Sequence, residues 1–176
     1  MRKNLKFASP ELEQTHTYAF TTAMGPVSVT GSQQGLQALR SLEGSVHIKA
    51  AALPPWAQEV KDQLNDYLEG KRSTFDLPLA PAGTEFQRRV WQALLDIPFG
   101  KTCSYLDLSR NLGDVKAIRA VGTANGKNPI WIIIPCHRVI GSDGSLTGYA
   151  GGLEMKKNLL DHEAKIAGNY QMNLNF

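Results

Sequence analysis

The stretch Asn128-Pro129-Ile130-Trp131-Ile132-Ile133-Ile134-Pro135-Cys136-His137-Arg138-Val139 decides how the rest of this chain is read. Its apolar part is too continuous for a solvated strand, so the pattern predicts a buried strand that delivers the chain, through Pro135, to three reactive side chains. Thiol, imidazole and guanidinium in sequence form a candidate nucleophile, base and anion contact. The thiolate is the reactive form of cysteine, and a nearby imidazole can take its proton. Adjacent residues in an extended chain point to opposite faces, so Cys136 and His137 are expected to communicate through a bridging water unless the backbone turns there. A carboxylate that fixes the imidazole tautomer is expected from the last amphipathic helix, Leu153 to Glu163, with Met155, Leu159 and Leu160 as its apolar positions. Glu163 is the first candidate, with Asp161 and His162 as competitors. Between cysteine and helix, Gly141-Ser142-Asp143-Gly144 reads as a hairpin tip, and Thr147 to Gly152 as a loop whose amides and Tyr149 ring could line a pocket.

Upstream lie two short helical patterns separated by Gly113-Asp114: Ser104 to Leu112 with Tyr105, Leu108 and Leu112 inward, and Val115 to Asn125 with Val115, Ile118 and Val121 inward. The pair reads as a helix-turn-helix whose second helix Asp114 caps. That helix sets Lys116 and Arg119 beside Ala117, Ala120, Gly122 and Ala124. Small residues admit a nucleic-acid groove, and equally a second helix; the basic charge favours DNA. Before the pair, Thr84 and Gln87 match a capping box, and Phe86, Val90, Trp91, Leu94 and Leu95 make one apolar face ending at Pro98-Phe99-Gly100. Pro78, Pro81 and Gly83 form a stiff linker, placing a domain boundary between residues 1–82 and 83–176. In the first domain, Thr17 to Arg40 reads as a small antiparallel sheet. A helix follows Pro54-Pro55 with Trp56, Val60, Leu64, Tyr67 and Leu68 at helical spacing and Gly70 as its C-terminal cap; Phe75, Leu77 and Leu79 alternate as one more strand. That domain carries no chemical motif, and His16 and His47 read as surface or packing residues.

The chain has 176 residues, 42% hydrophobic and 20% charged, enough for a real core. The longest purely apolar run, Ile130 to Ile134, is far below the roughly 18 residues needed to cross a bilayer. The basic start is followed by Ser9-Pro10-Glu11 instead of an apolar signal core, so a cytoplasmic protein is expected. Cys103 and Cys136 supply neither a disulfide framework nor a four-thiolate metal set, and Cys103 reads as a packing residue. The net charge is +3, and the excess sits in residues 83–140, with eight Lys/Arg against four Asp/Glu. Residues 1–82 hold eight against eight. A localised basic excess is the footprint of a phosphate-rich partner, although a solvated basic face would look the same.

At Pro135 to Val139 the sequence resembles the O6-alkylguanine-DNA alkyltransferase family, whose Pro-Cys-His-Arg-Val hallmark stands there. The resemblance runs from Phe86 to Glu163 and includes Ser104-Tyr105, Arg119-Ala120-Val121-Gly122, Asn128-Pro129 and Gly148-Tyr149-Ala150-Gly151-Gly152-Leu153. It implies an α+β fold: an N-terminal ribonuclease-H-like αβ domain followed by a mainly helical, winged-helix-like domain carrying the helix-turn-helix and the reactive cysteine. It implies direct repair of O6-alkylguanine in DNA, with O4-alkylthymine a further candidate substrate, by irreversible transfer of the alkyl group to Cys136 after base flipping. The protein would be consumed, with no cofactor and no metal.

By position, the resemblance implies that His137 accepts the cysteine proton through water, Glu163 orients His137, and Tyr105 donates a hydrogen bond to the leaving guanine. Arg119 would enter the base stack, with Lys116, Ala120, Gly122 and Arg138 also at the DNA. Asn128, Val139, Tyr149, Ala150 and Gly151 would form the pocket, with Asn128 bracing the turn before the cysteine. The implied partner is the minor groove of double-stranded DNA, bound by a monomer away from any membrane. The residues alone leave two rivals open: a cysteine hydrolase using Cys136, His137 and Glu163, and a non-catalytic helix-turn-helix DNA-binding protein.

Overall fold

Alternating apolar and polar residues between His16 and Ser41 fold as a three-stranded antiparallel meander, β1 (His16–Thr22), β2 (Gly25–Ser32) and β3 (Gly35–Ser41), in the order β1-β2-β3. The computed structural model describes Phe7, residues 14–42 and residues 52–168; His47 lies outside the described residues. One face of the sheet buries Phe20, Val27, Val29, Leu36 and Leu39. Helix α1 (Pro55–Leu68) begins with proline in its first turn, where the missing N–H costs nothing, and turns Ala57, Val60, Leu64 and Tyr67 inward. Gly70, at φ +76°, ends it as expected of a C-terminal glycine.

Phe75, Leu77 and Leu79 are buried alternately, but they do not form the regular strand expected. Pro78 has no N–H to offer a ladder, so pairing is confined to isolated bridges of Leu79 with Phe7 and with Leu36; at the latter, Leu36 N donates to Pro78 O at 2.8 Å and Ala80 N donates to Leu36 O at 2.8 Å. Past this segment, α2 (Glu85–Leu95) opens with the expected reciprocal capping box of Thr84 and Gln87. Val90, Trp91 and Leu94 face inward, whereas Phe86 is 36% exposed at the helix start. The Trp91 indole N–H reaches Ala124 O at 2.8 Å, tying α2 to the later helices.

The short strand β4 (Cys103–Ser104) leads into α3 (Tyr105–Asn111), and α4 (Ile118–Gly126) follows a one-turn 3₁₀ segment, Val115–Ala117, capped by the Asp114 side chain. The helix-turn-helix is present, but its second helix starts later than expected. The 3₁₀ turn breaks the helical register, so Val115 and Ile118 are 49% and 37% exposed instead of inward, and Val121, Ala124 and Asn125 form the buried face.

The largest departure is at Ile130–Ile134, which is buried but is not a strand. The Asn128 side chain clamps it, accepting from Ile130 N at 3.0 Å and donating to Ile134 O at 2.7 Å, and Ile132 sits at φ +65°, a left-handed conformation that a β-branched residue rarely adopts. Only the start of the run touches a sheet: Leu39 N donates to Pro129 O at 2.9 Å and Leu39 O accepts from Trp131 N at 3.2 Å. The coiled turn thus hangs on the edge of β3. Cys136–Arg138 forms a second 3₁₀ turn, and β5 (Val139–Ile140) pairs in parallel with β4. Gly141–Gly144 is a tight turn with no returning strand, so it is not a hairpin tip. Helix α5 (Gly152–Ile166) closes the described chain, and its buried Leu159 and Glu163 pack over the cysteine turn. Sheet and helices are segregated along the chain, the α+β class expected.

Gly83 lies where the rings leave no room: a Cβ there would fall 2.5 Å from the Trp91 ring. Gly83→Ala should therefore lower stability by roughly 1–3 kcal/mol, as overpacking does. An unchanged urea midpoint would show that the linker shifts freely away from Trp91.

Candidate active site

The 3₁₀ turn at Cys136–Arg138 answers the objection that neighbours point apart, because it folds three consecutive side chains toward α5 and the clamp of Asn128. Cys136 is 4% exposed. Its Sγ accepts from Asn128 Nδ2 at 3.0 Å, and its carbonyl oxygen accepts from Asn125 Nδ2 at 3.5 Å. Burial pushes the thiol up to about 11, against the opposing pull of the Asn128 hydrogen bond and the Lys156 charge. Loss of water outweighs the partners at this sulfur.

His137 is wholly buried and meets Glu163 Oε1 through Nε2 at 2.8 Å. Burial holds its pKa below the usual imidazole value although Glu163 pulls the other way. The neutral ring therefore keeps its proton on Nε2, facing the carboxylate, and presents a lone pair at Nδ1. That nitrogen is buried with no hydrogen-bond partner. Glu163 is the expected carboxylate, and of its two competitors His162 turns away to Tyr67 O at 2.8 Å and Asp161 is exposed. Burial alone would raise Glu163, but hydrogen bonds from His137 and Arg138, with the Arg138 charge, carry it far below the carboxylate range.

Similarity to known proteins agrees with this geometry. Residues 85–165 match the family described as 6-O-methylguanine DNA methyltransferase, DNA binding domain, and residues 15–81 match its ribonuclease-like domain. A methylated-DNA–protein-cysteine methyltransferase of Methanosarcina barkeri is 49% identical over 80% of this chain and 91% of its own length. The chain belongs to the 6-O-methylguanine DNA methyltransferase family. Among solved structures, Mycobacterium tuberculosis OGT in complex with DNA superposes with a TM-score of 0.76 at 44% identity, covering 86% of this chain and 94% of that one. The O6-methylguanine-DNA methyltransferase of Pyrococcus kodakaraensis superposes at 0.61 with 25% identity, covering 85% and 99%.

In this methyltransferase Arg138 is turned inward, not out to the surface as a DNA contact would need. It is 7% exposed, with Nε and Nη2 on Glu163 at 2.9 and 2.8 Å and Nη1 on Ile97 O at 2.6 Å. A buried carboxylate needs a cation nearby, and Arg138, on the same turn as His137, supplies it. Lys116, Arg119 and Ala120 are exposed on the 3₁₀ segment and α4, and Gly122 faces the Tyr105 ring. Tyr105 is half-buried; its hydroxyl donates to Thr147 O and accepts from Asn125 Nδ2, both at 3.4 Å. Tyr149 packs on Trp131 with ring centroids 5.9 Å apart, its hydroxyl buried without a partner. Ala150 is exposed, and a Cβ at Gly151 would strike Met155 Sδ at 2.7 Å. The Val139 carbonyl is not free: Lys156 Nζ donates to it at 2.6 Å and to Thr147 O at 2.7 Å. Among the described residues, no three His, Cys, Asp or Glu side chains gather as a metal set, and no helix is long and apolar enough to cross a membrane.

Sequence reasoning missed Asn125, Lys156 and the hydroxyl of Tyr67, which donates to Glu163 Oε1 at 2.7 Å. Lys156 was findable. It stands at i, with Leu159, Leu160 and Glu163 at i+3, i+4 and i+7, on the buried face of one helix.

The two depressed pKa values fix an acid limit to stability. A group whose folded pKa lies below its unfolded value stabilises above the unfolded value and loses that contribution as pH falls. Unfolding free energy should therefore begin to fall below about pH 6.5 through His137, and fall further below about pH 4.3 through Glu163. Glu163→Gln should flatten the lower part of this slope in denaturant titrations; slopes identical to wild type there would remove Glu163 as its source.

Proposed function

We propose that this protein repairs DNA by moving the alkyl group of O6-alkylguanine irreversibly onto Cys136. The observation that carries the reading is a buried sulfur next in sequence to an imidazole whose Nε2 is committed to Glu163 and whose Nδ1 is free. A sulfur this buried cannot touch a base still in the duplex, so the base must leave the stack to react. The thiol proton passes to Nδ1 of His137 through a bridging water. The sulfur–carbon bond forms as the carbon–O6 bond breaks, the electron pair stays on the guanine, and Tyr105 donates a hydrogen bond to the ring as it leaves. The proton lost by sulfur is matched by the one gained by guanine, so the products are guanine and S-alkylcysteine. The thioether has no leaving route, and the protein is consumed.

Helix α4 is the surface that fits DNA. A Cβ at Gly126 would meet nothing within 4 Å, and one at Gly122 would make only ordinary contact with Tyr105 at 3.8 Å. Packing inside the protein therefore does not demand these glycines, and Gly122, inside the helix, costs about 1 kcal/mol relative to alanine. A minor groove pressed against them, with Arg119 filling the stack and Lys116 at the phosphates, explains both. The same reading takes residues 1–82 and 83–176 as two domains, the working form as a monomer, and the compartment as the cytoplasm.

Duplex DNA carrying a radiolabelled methyl on O6 of guanine should transfer one equivalent of label to the peptide containing Cys136, and none in Cys136→Ser. Many equivalents per chain, or label elsewhere, would overturn the reading. Arg119→Ala should slow repair of duplex about tenfold, a barrier change near 1.4 kcal/mol, while barely changing reaction with free benzylated guanine. Equal slowing of both would exclude Arg119 from the stack.

A further inference from the structure

The carboxylate that orients His137 is not held by the second half of the chain alone. Oε1 of Glu163 accepts from His137 Nε2 at 2.8 Å, from Arg138 Nη2 at 2.8 Å and from the Tyr67 hydroxyl at 2.7 Å, while Oε2 accepts from Gly100 N at 2.9 Å. Tyr67 belongs to α1, 96 residues earlier in sequence, and is wholly buried. Its ring is fixed on several sides. Phe75 lies at 5.3 Å, His162 at 5.4 Å and Phe99 edge-on at 5.9 Å between centroids. A hydroxyl on a ring so constrained has one place to point.

We propose that Tyr67 is a positioning residue of the alkyl-transfer site, its hydroxyl fixing Glu163 Oε1 where His137 Nε2 meets it, so that the sheet-bearing first half supplies part of the proton-accepting machinery. This rests on the transfer reading given above. The buried oxygen shared by His137, Arg138 and Tyr67 loses one donor if the hydroxyl is removed. Oε1 then keeps His137 and Arg138 but can rock between them, so the imidazole is held less tightly in orientation while staying against the carboxylate. Tyr67 also tempers the base. A donor on Oε1 draws charge from the carboxylate, so its removal makes Glu163 a stronger partner for imidazolium and raises the pKa of His137. A protonated His137 cannot take the thiol proton. The groups that face this pair are Arg138 and Cys136 on the same turn, Lys156 on α5, and, around Tyr67, His162 and Tyr149. Each is retained in the variants below.

Tyr67→Phe keeps the ring and deletes only the donor. Single-turnover capture of free benzylated guanine by the full chain should slow about tenfold, the scale of losing a hydrogen bond to a charged group. The acid limb of the pH–rate profile should move to higher pH. In a Glu163→Gln background the same change should have little further effect, since Tyr67 acts through the carboxylate. A role confined to packing scales the rate and leaves the limb in place, and that outcome overturns the proposal, as does full additivity with Glu163→Gln. 3-Fluorotyrosine inserted at position 67 keeps the fold and strengthens the donor, so the limb should move the other way, to lower pH; a limb that stays put or rises overturns the proposal even if Tyr67→Phe does not fold. Wild-type protein that captures no benzyl group overturns the transfer reading itself, whereas wild-type capture with coincident profiles overturns Tyr67 alone.

Discussion

A carboxylate buried out of water must be compensated by the protein, and Glu163 organises this molecule because its compensation comes from every side. Arg138 supplies the charge, His137 and Tyr67 supply donors on Oε1, and the Gly100 amide supplies one on Oε2. Removing the cation from such a group typically costs 3–5 kcal/mol, far more than a surface pair is worth. The donors come from α1, the turn after α2 and the cysteine turn, and the carboxylate itself sits on α5. These elements can therefore be placed relative to one another by a single side chain. That is a packing constraint, and it is also what fixes the tautomer of His137.

The site was legible in part. The Cys136-His137-Arg138 triplet and the stripe leading to Glu163 can be read from residue type and helical spacing, and the structure brings Cys136, His137 and Glu163 to one place. Local chemistry was legible where it is local: the Thr84–Gln87 capping box and the Gly70 cap form as the residues predict. Readings failed where a long-range partner overrides the local pattern. Ile130–Ile134 has the composition of a central strand, but Asn128 takes the amide and carbonyl that a neighbouring strand would need. Arg138 next to a basic helix reads as a phosphate contact until a carboxylate 25 residues on is seen to claim it. Tyr67 reads as one more apolar position of an amphipathic helix, because nothing in periodicity separates a ring that packs from a hydroxyl that also works.

The same burial that stabilises the site keeps its sulfur quiet. With burial pushing its pKa up to about 11, the thiol is protonated at pH 7. A protein that can react once is spoiled by any stray electrophile or oxidant that reaches a thiolate, so a protonated, 4% exposed sulfur is the appropriate resting state. What remains in place is the means of ionising it. Nδ1 of His137 is buried and unpaired, and Lys156, whose ammonium is bonded to the carbonyls of Val139 and Thr147, adds a positive charge that favours the thiolate. Neither group outweighs the burial of the sulfur. Reactivity therefore depends on how a bound base changes the surroundings of Cys136, which makes selection for the damaged base and activation of the nucleophile parts of one event.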